Sequence, residues 1–291
     1  MNVMSEIRNR YANAAKNPDY TIDQDWSSYS ADEDDRWNRL SARVAEILPG
    51  RADPAFINAV DRLGLASGGV PDMEKLSKKL RALTGWSVVP VSDLVPDEVF
   101  FDHLANRRFP AGAFIRSEAE MDYLEEPDIF HDVFGHVPLL ADPIYADFMQ
   151  AYGAGGQAAM ARGQLHNLAR LYWYTIEFGL IESADGLRIF GAGILSSTGE
   201  IRFALEDDSP NRIGFDLERV MRTDYRIDDF QQTYFVIESF DALLASCHRD
   251  FTPVYEAIKG QPDHAPDALV ESDRVFHRGT QAYFAGKKQA I

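Results

Sequence analysis

The stretch Pro127-Asp128-Ile129-Phe130-His131-Asp132-Val133-Phe134-Gly135-His136-Val137-Pro138 sets two imidazoles into a run of largely apolar residues. Imidazole nitrogen is the commonest neutral metal ligand in proteins, so two of them on one short segment suggest a metal site. Residues four apart share a face of an α-helix, but His131 and His136 are five apart, about 140° around the helix axis. Both can reach one ion only where the helix bends or ends between them. Gly135 and Pro138 give the chain that freedom. The competing reading is of two unrelated polar residues, one of them capping a helix end.

A carboxylate in an unusual place bears on that choice. The run Leu165 to Leu180 carries an apolar stripe at Leu165, Leu168, Tyr172 and Ile176, with His166, Arg170, Trp173 and Glu177 on a second face. The surroundings of Glu177 are so apolar that its carboxylate is expected out of open water, where it must be paired or bound to metal. A salt bridge to Arg170 would satisfy it. So would an ion shared with the two histidines, and two histidines with one carboxylate form the open-sided set of non-haem ferrous oxygenases. A zinc metallohydrolase is disfavoured, because its signature has histidines four apart with a glutamate between them. A structural metal or binding module without turnover is the third class considered.

Farther out, the 291 residues are 45% hydrophobic, enough to bury a sizeable core. Acidic residues outnumber basic ones, 46 to 29, for a net charge of −17. That charge repels phosphate backbones and anionic lipid, so no nucleic-acid or membrane partner is expected. The lone Cys247 excludes an intrachain disulfide and a cysteine-built metal cluster, and it suits a reducing compartment. The first twenty residues lack an apolar signal core, and nowhere do 18 apolar residues run together, so a cytoplasmic protein is expected.

Residues 1–30 are polar and read as a loosely held arm, leaving 31–291 as one catalytic domain. Helical spacing recurs at Trp37, Leu40, Val44, Ile47 and Leu48, at Phe56, Ile57, Val60 and Leu63, and at Met73, Leu76, Leu80 and Leu83. Asp53-Pro54 and Asp142-Pro143 each read as a cap followed by a first-turn proline. Strand-like runs lie at Ser87–Val91, Ala113–Arg116, Leu187–Ile194, Ile201–Leu205 and Tyr234–Ile237, with Gly199-Glu200 as a turn between two of them. The fold class is mainly α with a few short β-strands, and no coiled coil is indicated.

Three segments together, PDIFHDVFGHVPLL at 127–140, LYWYTIEFGL at 171–180 and GAGILSSTGEI at 191–201, strongly resemble the pterin-dependent aromatic amino acid hydroxylases. The resemblance runs from about Trp26 to about residue 250. It implies the catalytic domain of that family, with Fe(2+) held by His131, His136 and Glu177, a tetrahydropterin such as tetrahydrobiopterin as reductant, and O2 as co-substrate. It further implies a pterin-facing set of Val95, Asp97, Phe100 and Asp132, with the Phe100 ring stacked on the cofactor. For the substrate it implies Arg116 at the carboxylate, Trp173 against the ring, Ser196 near the carboxylate and Ile227 near the ring.

Two positions depart from the animal members: Asp132 stands where they mostly have glutamate, and Leu124 where they have threonine. An apolar residue at 227 suits an unsubstituted ring, because a polar group there would lack a partner. The expected reaction is therefore 4-hydroxylation of L-phenylalanine to L-tyrosine, the first step of phenylalanine breakdown, with tryptophan or tyrosine hydroxylation as the alternatives. The regulatory domain and tetramerisation helix of the animal enzymes find no counterpart, so a monomer is expected.

Overall fold

In a computed structural model that describes residues 11–122, 126–248 and 250–288, Ser30 opens the first long helix, Ala31–Ala45. Its side chain accepts from the Glu33 backbone while the Glu33 carboxylate reaches back, a capping box. Asp32, Glu33 and Asp34 fill the first turn and Arg43 the last, as the helix dipole favours. Trp37, Leu40 and Val44 form the buried face. Helices Pro54–Leu63 and Met73–Leu83 follow where the apolar spacing places them. Asp72 caps the latter through the Glu74 and Lys75 amides. Asp142 begins helix Pro143–Ala161, its carboxylate accepting from Ile144 and Tyr145 N–H.

The chain forms two compact units. The first comprises residues 1–46 and 54–157. It contains the helices just described as far as residue 157, helix Asp97–Ala105, and a two-stranded parallel ladder of β1 (Ser87–Val91) and β2 (Arg108–Gly112). The expected strand at Ala113–Arg116 lies past the end of that ladder. Those residues are buried and irregular, tied by Ala113 N–H to Val91 O and by Ile129 N–H to Phe114 O.

Residues 11–30 are not a loose arm. Tyr11 and Ile22 pack with Ala113 and Phe114 in a small core, and Tyr11 donates to Gln24 O. Trp26 Nε1 donates to Val70 O at 2.7 Å, and Ile22 N–H to Pro90 O. The residues expected to be loose because they are polar use that polarity to bind the rest of the unit.

The second unit comprises residues 47–53 and 158–291. Its sheet has the order β4-β3-β6-β5-β7, from β3 (Leu180–Ser183), β4 (Gly186–Ile189), β5 (Asn211–Gly214), β6 (Thr233–Ile237) and β7 (Val275–His277). β3 and β4 form an antiparallel hairpin, β6 runs parallel to both β3 and β5, and β7 pairs antiparallel to β5.

Two sequence expectations fail in this unit. Ile201–Leu205 is not a strand and Gly199-Glu200 is not a turn, for both lie in helix Thr198–Glu206, whose start Ser197 caps by accepting from Glu200 N–H. A five-residue run that is apolar except for Arg202 fits a buried helix face as well as a strand, and the cap decides it. The run at Leu187–Ile194 is a strand only to Ile189, after which Gly191 leads into the short helix Ala192–Leu195. No helix among the described residues is long and apolar enough to cross a membrane.

Candidate active site

In the first unit, residues Phe130–His136 form a π-helix. A π-turn closes its hydrogen bond between residues five apart, so i and i+5 stack as i and i+4 do in an α-helix. That resolves the spacing problem without a break in the helix. His131 Nε2 and His136 Nε2 lie 3.3 Å apart, with ring centroids 5.1 Å apart and planes at 78°. The same segment buries Phe130, Val133 and Phe134. Phe130 stacks on Phe134 at 4.7 Å, and Trp37 meets Phe130 edge-on at 5.3 Å. This aromatic packing fixes the face opposite the imidazoles.

Asp128 is a functional residue that the sequence motifs do not mark. It is fully buried, and its carboxylate accepts from Arg116 N–H (2.9 Å), Arg116 Nε (2.9 Å), Arg116 Nη2 (2.8 Å) and the His131 backbone N–H (3.1 Å). Burial pushes its carboxyl up, but the Arg116 hydrogen bond and charge outweigh burial and hold it below the ordinary carboxylate value. Asp128 thus joins the arginine to the start of the histidine-bearing helix. An aspartate three residues before His131 has the spacing of a helix cap, and that was its available signal.

The side-on fork of Arg116, Nε with Nη2, is committed to Asp128, which leaves the Nη1 edge for any further carboxylate. The guanidinium also lies over the Phe130 ring, 5.6 Å from its centroid. Asp132 Oδ2 accepts from Gly112 N–H at 2.7 Å. Val95 and Phe100 are half-buried and Asp97 is exposed at the start of helix Asp97–Ala105. The Phe100 ring meets Phe101 edge-on at 5.7 Å. Leu124 lies outside the described residues.

In the second unit, helix Leu165–Tyr172 continues as a π-helix over Trp173–Glu177. Glu177 is half-buried. Arg170, the alternative partner considered for it, is engaged by Asp224 and by Asp263, with its Nη2 2.8 Å from Asp263 Oδ2. Gly191 explains part of the glycine motif: a Cβ there would sit 2.4 Å from Gly179 N and 2.5 Å from Glu177 O, so only glycine lets the two segments meet. Trp173 stacks on Tyr225 at 4.3 Å and donates from Nε1 to Gln231 Oε1 at 2.8 Å.

Gln231 is buried and is itself held, its amide donating to Arg226 O and Asp229 O. Glu200 is buried with Tyr234 OH donating to it at 2.7 Å, and burial raises its carboxyl to about 7. The sequence marks neither residue, because an isolated glutamine or glutamate carries no motif. Ser196 Oγ donates to Ala192 O at 2.9 Å at the end of helix Ala192–Leu195. Ile227 departs from expectation: it is 79% exposed. The Arg226–Asp228 ion pair spans it at 3.0 and 2.9 Å and leaves its side chain facing solvent.

His131 and His136 of the first unit offer two imidazole nitrogens, and Glu177 of the second offers a carboxylate. Two neutral nitrogen donors and one carboxylate fit a ferrous ion with open positions.

Residues 2–256 match the biopterin-dependent aromatic amino acid hydroxylases, and the chain belongs to that family. It is 59% identical over 266 residues to the phenylalanine-4-hydroxylase of Caulobacter vibrioides, covering 91% of this chain and 90% of the relative. It is 52% identical to the phenylalanine-4-hydroxylase of Ralstonia nicotianae, covering 92% and 86%. The structure matches the iron- and phenylalanine-bound crystal structure of phenylalanine hydroxylase from Chromobacterium violaceum with a TM-score of 0.89 at 46% identity, covering 95% of this chain and 100% of that one. The cobalt-bound form of the same enzyme matches with a TM-score of 0.90, covering 95% and 99%. The mainly helical fold with few short strands is that of these enzymes.

Proposed function

We propose that this chain is a phenylalanine 4-monooxygenase, converting L-phenylalanine to L-tyrosine with O2 and a tetrahydropterin at Fe(2+) held by His131, His136 and Glu177. The observation that carries the reading is the pair of imidazoles, their Nε2 atoms 3.3 Å apart on one π-helix, in a chain of the biopterin-dependent family. Iron bound there, with the pterin as its reductant, supplies the activation of dioxygen. The protein's own groups then bind and orient. The half-buried Phe100 ring offers a face for pterin stacking, with Val95, Asp97 and Asp132 as further pterin contacts. Arg116 takes the substrate carboxylate on its Nη1 edge, because Asp128 holds the other. Trp173, fixed by Gln231 and Tyr225, forms a wall for the substrate ring, and Ser196 lies near the carboxylate.

With Ile227 turned to solvent, preference for phenylalanine over tyrosine rests on the apolar wall and on the close relatives rather than on that residue. Net charge and the single, buried cysteine support a cytoplasmic monomer. Product analysis tests the reading. L-Phenylalanine, a tetrahydropterin, O2 and ferrous iron should yield tyrosine in equal amount to pterin oxidised. Zinc in place of iron should yield none. Tryptophan turned over faster than phenylalanine would contradict the substrate assignment.

A further inference from the structure

A solvent-open pocket of about 540 Å³ in the second unit is lined by three arginines, Arg51, Arg188 and Arg212, with His277 and with Phe276, whose ring also carries the Arg274 guanidinium 4.6 Å from its centroid. Its acidic lining residues are Asp185 and Glu206. Glu206 is engaged by Arg51, whose Nε donates to it at 2.5 Å. Neither of the other two guanidinium groups makes an ion pair among the described residues, although the charges of Asp207 and Asp208 act on Arg212. Arg188 donates only to the carbonyls of Asp185 and Leu187. Arg212, on β5, is 6% exposed and donates from Nε to Ala204 O and from Nη2 to Phe203 O and Asp207 O.

Those three carbonyls end helix Thr198–Glu206, so a purely structural reading makes Arg212 a helix C-terminal cation. That reading accounts for Nε and Nη2. It does not account for Nη1, which donates to no group among the described residues, nor for a second unpaired guanidinium on the same cavity. A buried charge is costly unless it is paired, and a chain of net charge −17 has many carboxylates that could have done so. Burial also holds the Arg212 guanidinium below its ordinary value. His277 Nε2 contacts Asp208 O, leaving its other ring nitrogen as a further polar group.

We propose that this cavity binds a small organic oxyanion, a phosphate or carboxylate on a compact apolar body, with Arg188 and Arg212 on the anion and Phe276 against the body. The volume is within the range of small-molecule sites.

Calorimetric titration of the iron-loaded enzyme tests this, with phenyl phosphate and benzoate as probes and ionic strength held constant with chloride. One saturable site for either probe is expected, and which probe binds tells phosphate from carboxylate. Arg188→Gln should weaken that binding by about tenfold or more, the loss expected of one charge-assisted hydrogen bond. Arg212→Lys should do the same. Arg188 touches only carbonyls, so its variant decides the matter if the Arg212 variant fails to fold. Binding at the iron would survive both substitutions unchanged, and that result overturns the proposal. So does the absence of saturable heat with both probes at concentrations on the order of 10 mM.

Discussion

Replacing Asp128 with alanine should be among the most damaging single changes in the first unit, for a reason that can be put in numbers. The substitution removes a carboxylate that accepts two side-chain hydrogen bonds from Arg116, at 2.9 and 2.8 Å, and leaves a 7%-exposed guanidinium behind. Charge-assisted hydrogen bonds contribute about 1.5–3 kcal/mol each, and breaking a buried pair from one side costs about 3–5 kcal/mol. Urea unfolding should therefore show a loss of about 3–5 kcal/mol, a large share of an ordinary domain's stability. Because Asp128 also accepts the His131 backbone N–H, iron affinity should fall as well. Asparagine should recover only part, since its amide group turns a donor toward the donors of Arg116. With both residues replaced by alanine, the total should be clearly less than the sum of the single losses. A loss under about 1 kcal/mol for Asp128→Ala, or additive single effects, would refute the pairing argument.

Glu200 predicts a pH effect on the iron-free protein. Its native value of about 7 lies above the ordinary 4.5, so between those values the native state holds a proton that the unfolded chain has released. Stability should fall as pH rises through that window, by on the order of 3 kcal/mol in full, and Glu200→Gln should flatten the slope. An unchanged slope in chemical denaturation would remove Glu200 as the cause. Phe100→Ala should raise the pterin KM by about tenfold or less, the size of a stacking contact, with iron content unchanged. Loss of iron instead would make Phe100 a structural residue. Arg116→Ala strands the buried Asp128 carboxylate and so should lose stability as Asp128→Ala does; in the folded protein it should also weaken phenylalanine binding by on the order of 10- to 100-fold, and lysine should rescue only part of it. Equal loss on phenethylamine, which has no carboxylate, would mean that the arginine acts only through its pairing with Asp128 and not on the substrate carboxylate.

The helices with apolar faces and clear ends were legible in the sequence, as Asp142-Pro143 before helix Pro143–Ala161 illustrates. The π-helix at Phe130–His136 is not, because against 3.6 residues per turn a five-residue interval looks like a mismatch, and nothing in the sequence marks the π-helix at Trp173–Glu177. For Ile201–Leu205, periodicity over five residues could not separate strand from helix, and the Ser197 cap outweighed it. The binding of residues 11–30 depends on partners far along the chain, such as Val70 for Trp26. No local pattern encodes that. In the site, the residue types with distinctive chemistry stood out, whereas Asp128, Gln231 and Glu200 act through other side chains and became visible only with their hydrogen bonds. Ile227 shows the converse, since a neighbouring ion pair sets its direction in a way that matched sequence positions do not convey.

Anaerobic titration with ferrous iron, read by calorimetry and by metal retained after gel filtration, tests the central claim most directly. The wild-type chain should bind one iron per chain, and His131→Ala, His136→Ala and Glu177→Ala should each lose that tight site together with tyrosine formation. Full iron retention and full tyrosine formation by His136→Ala would contradict the assignment of these three side chains as the metal site.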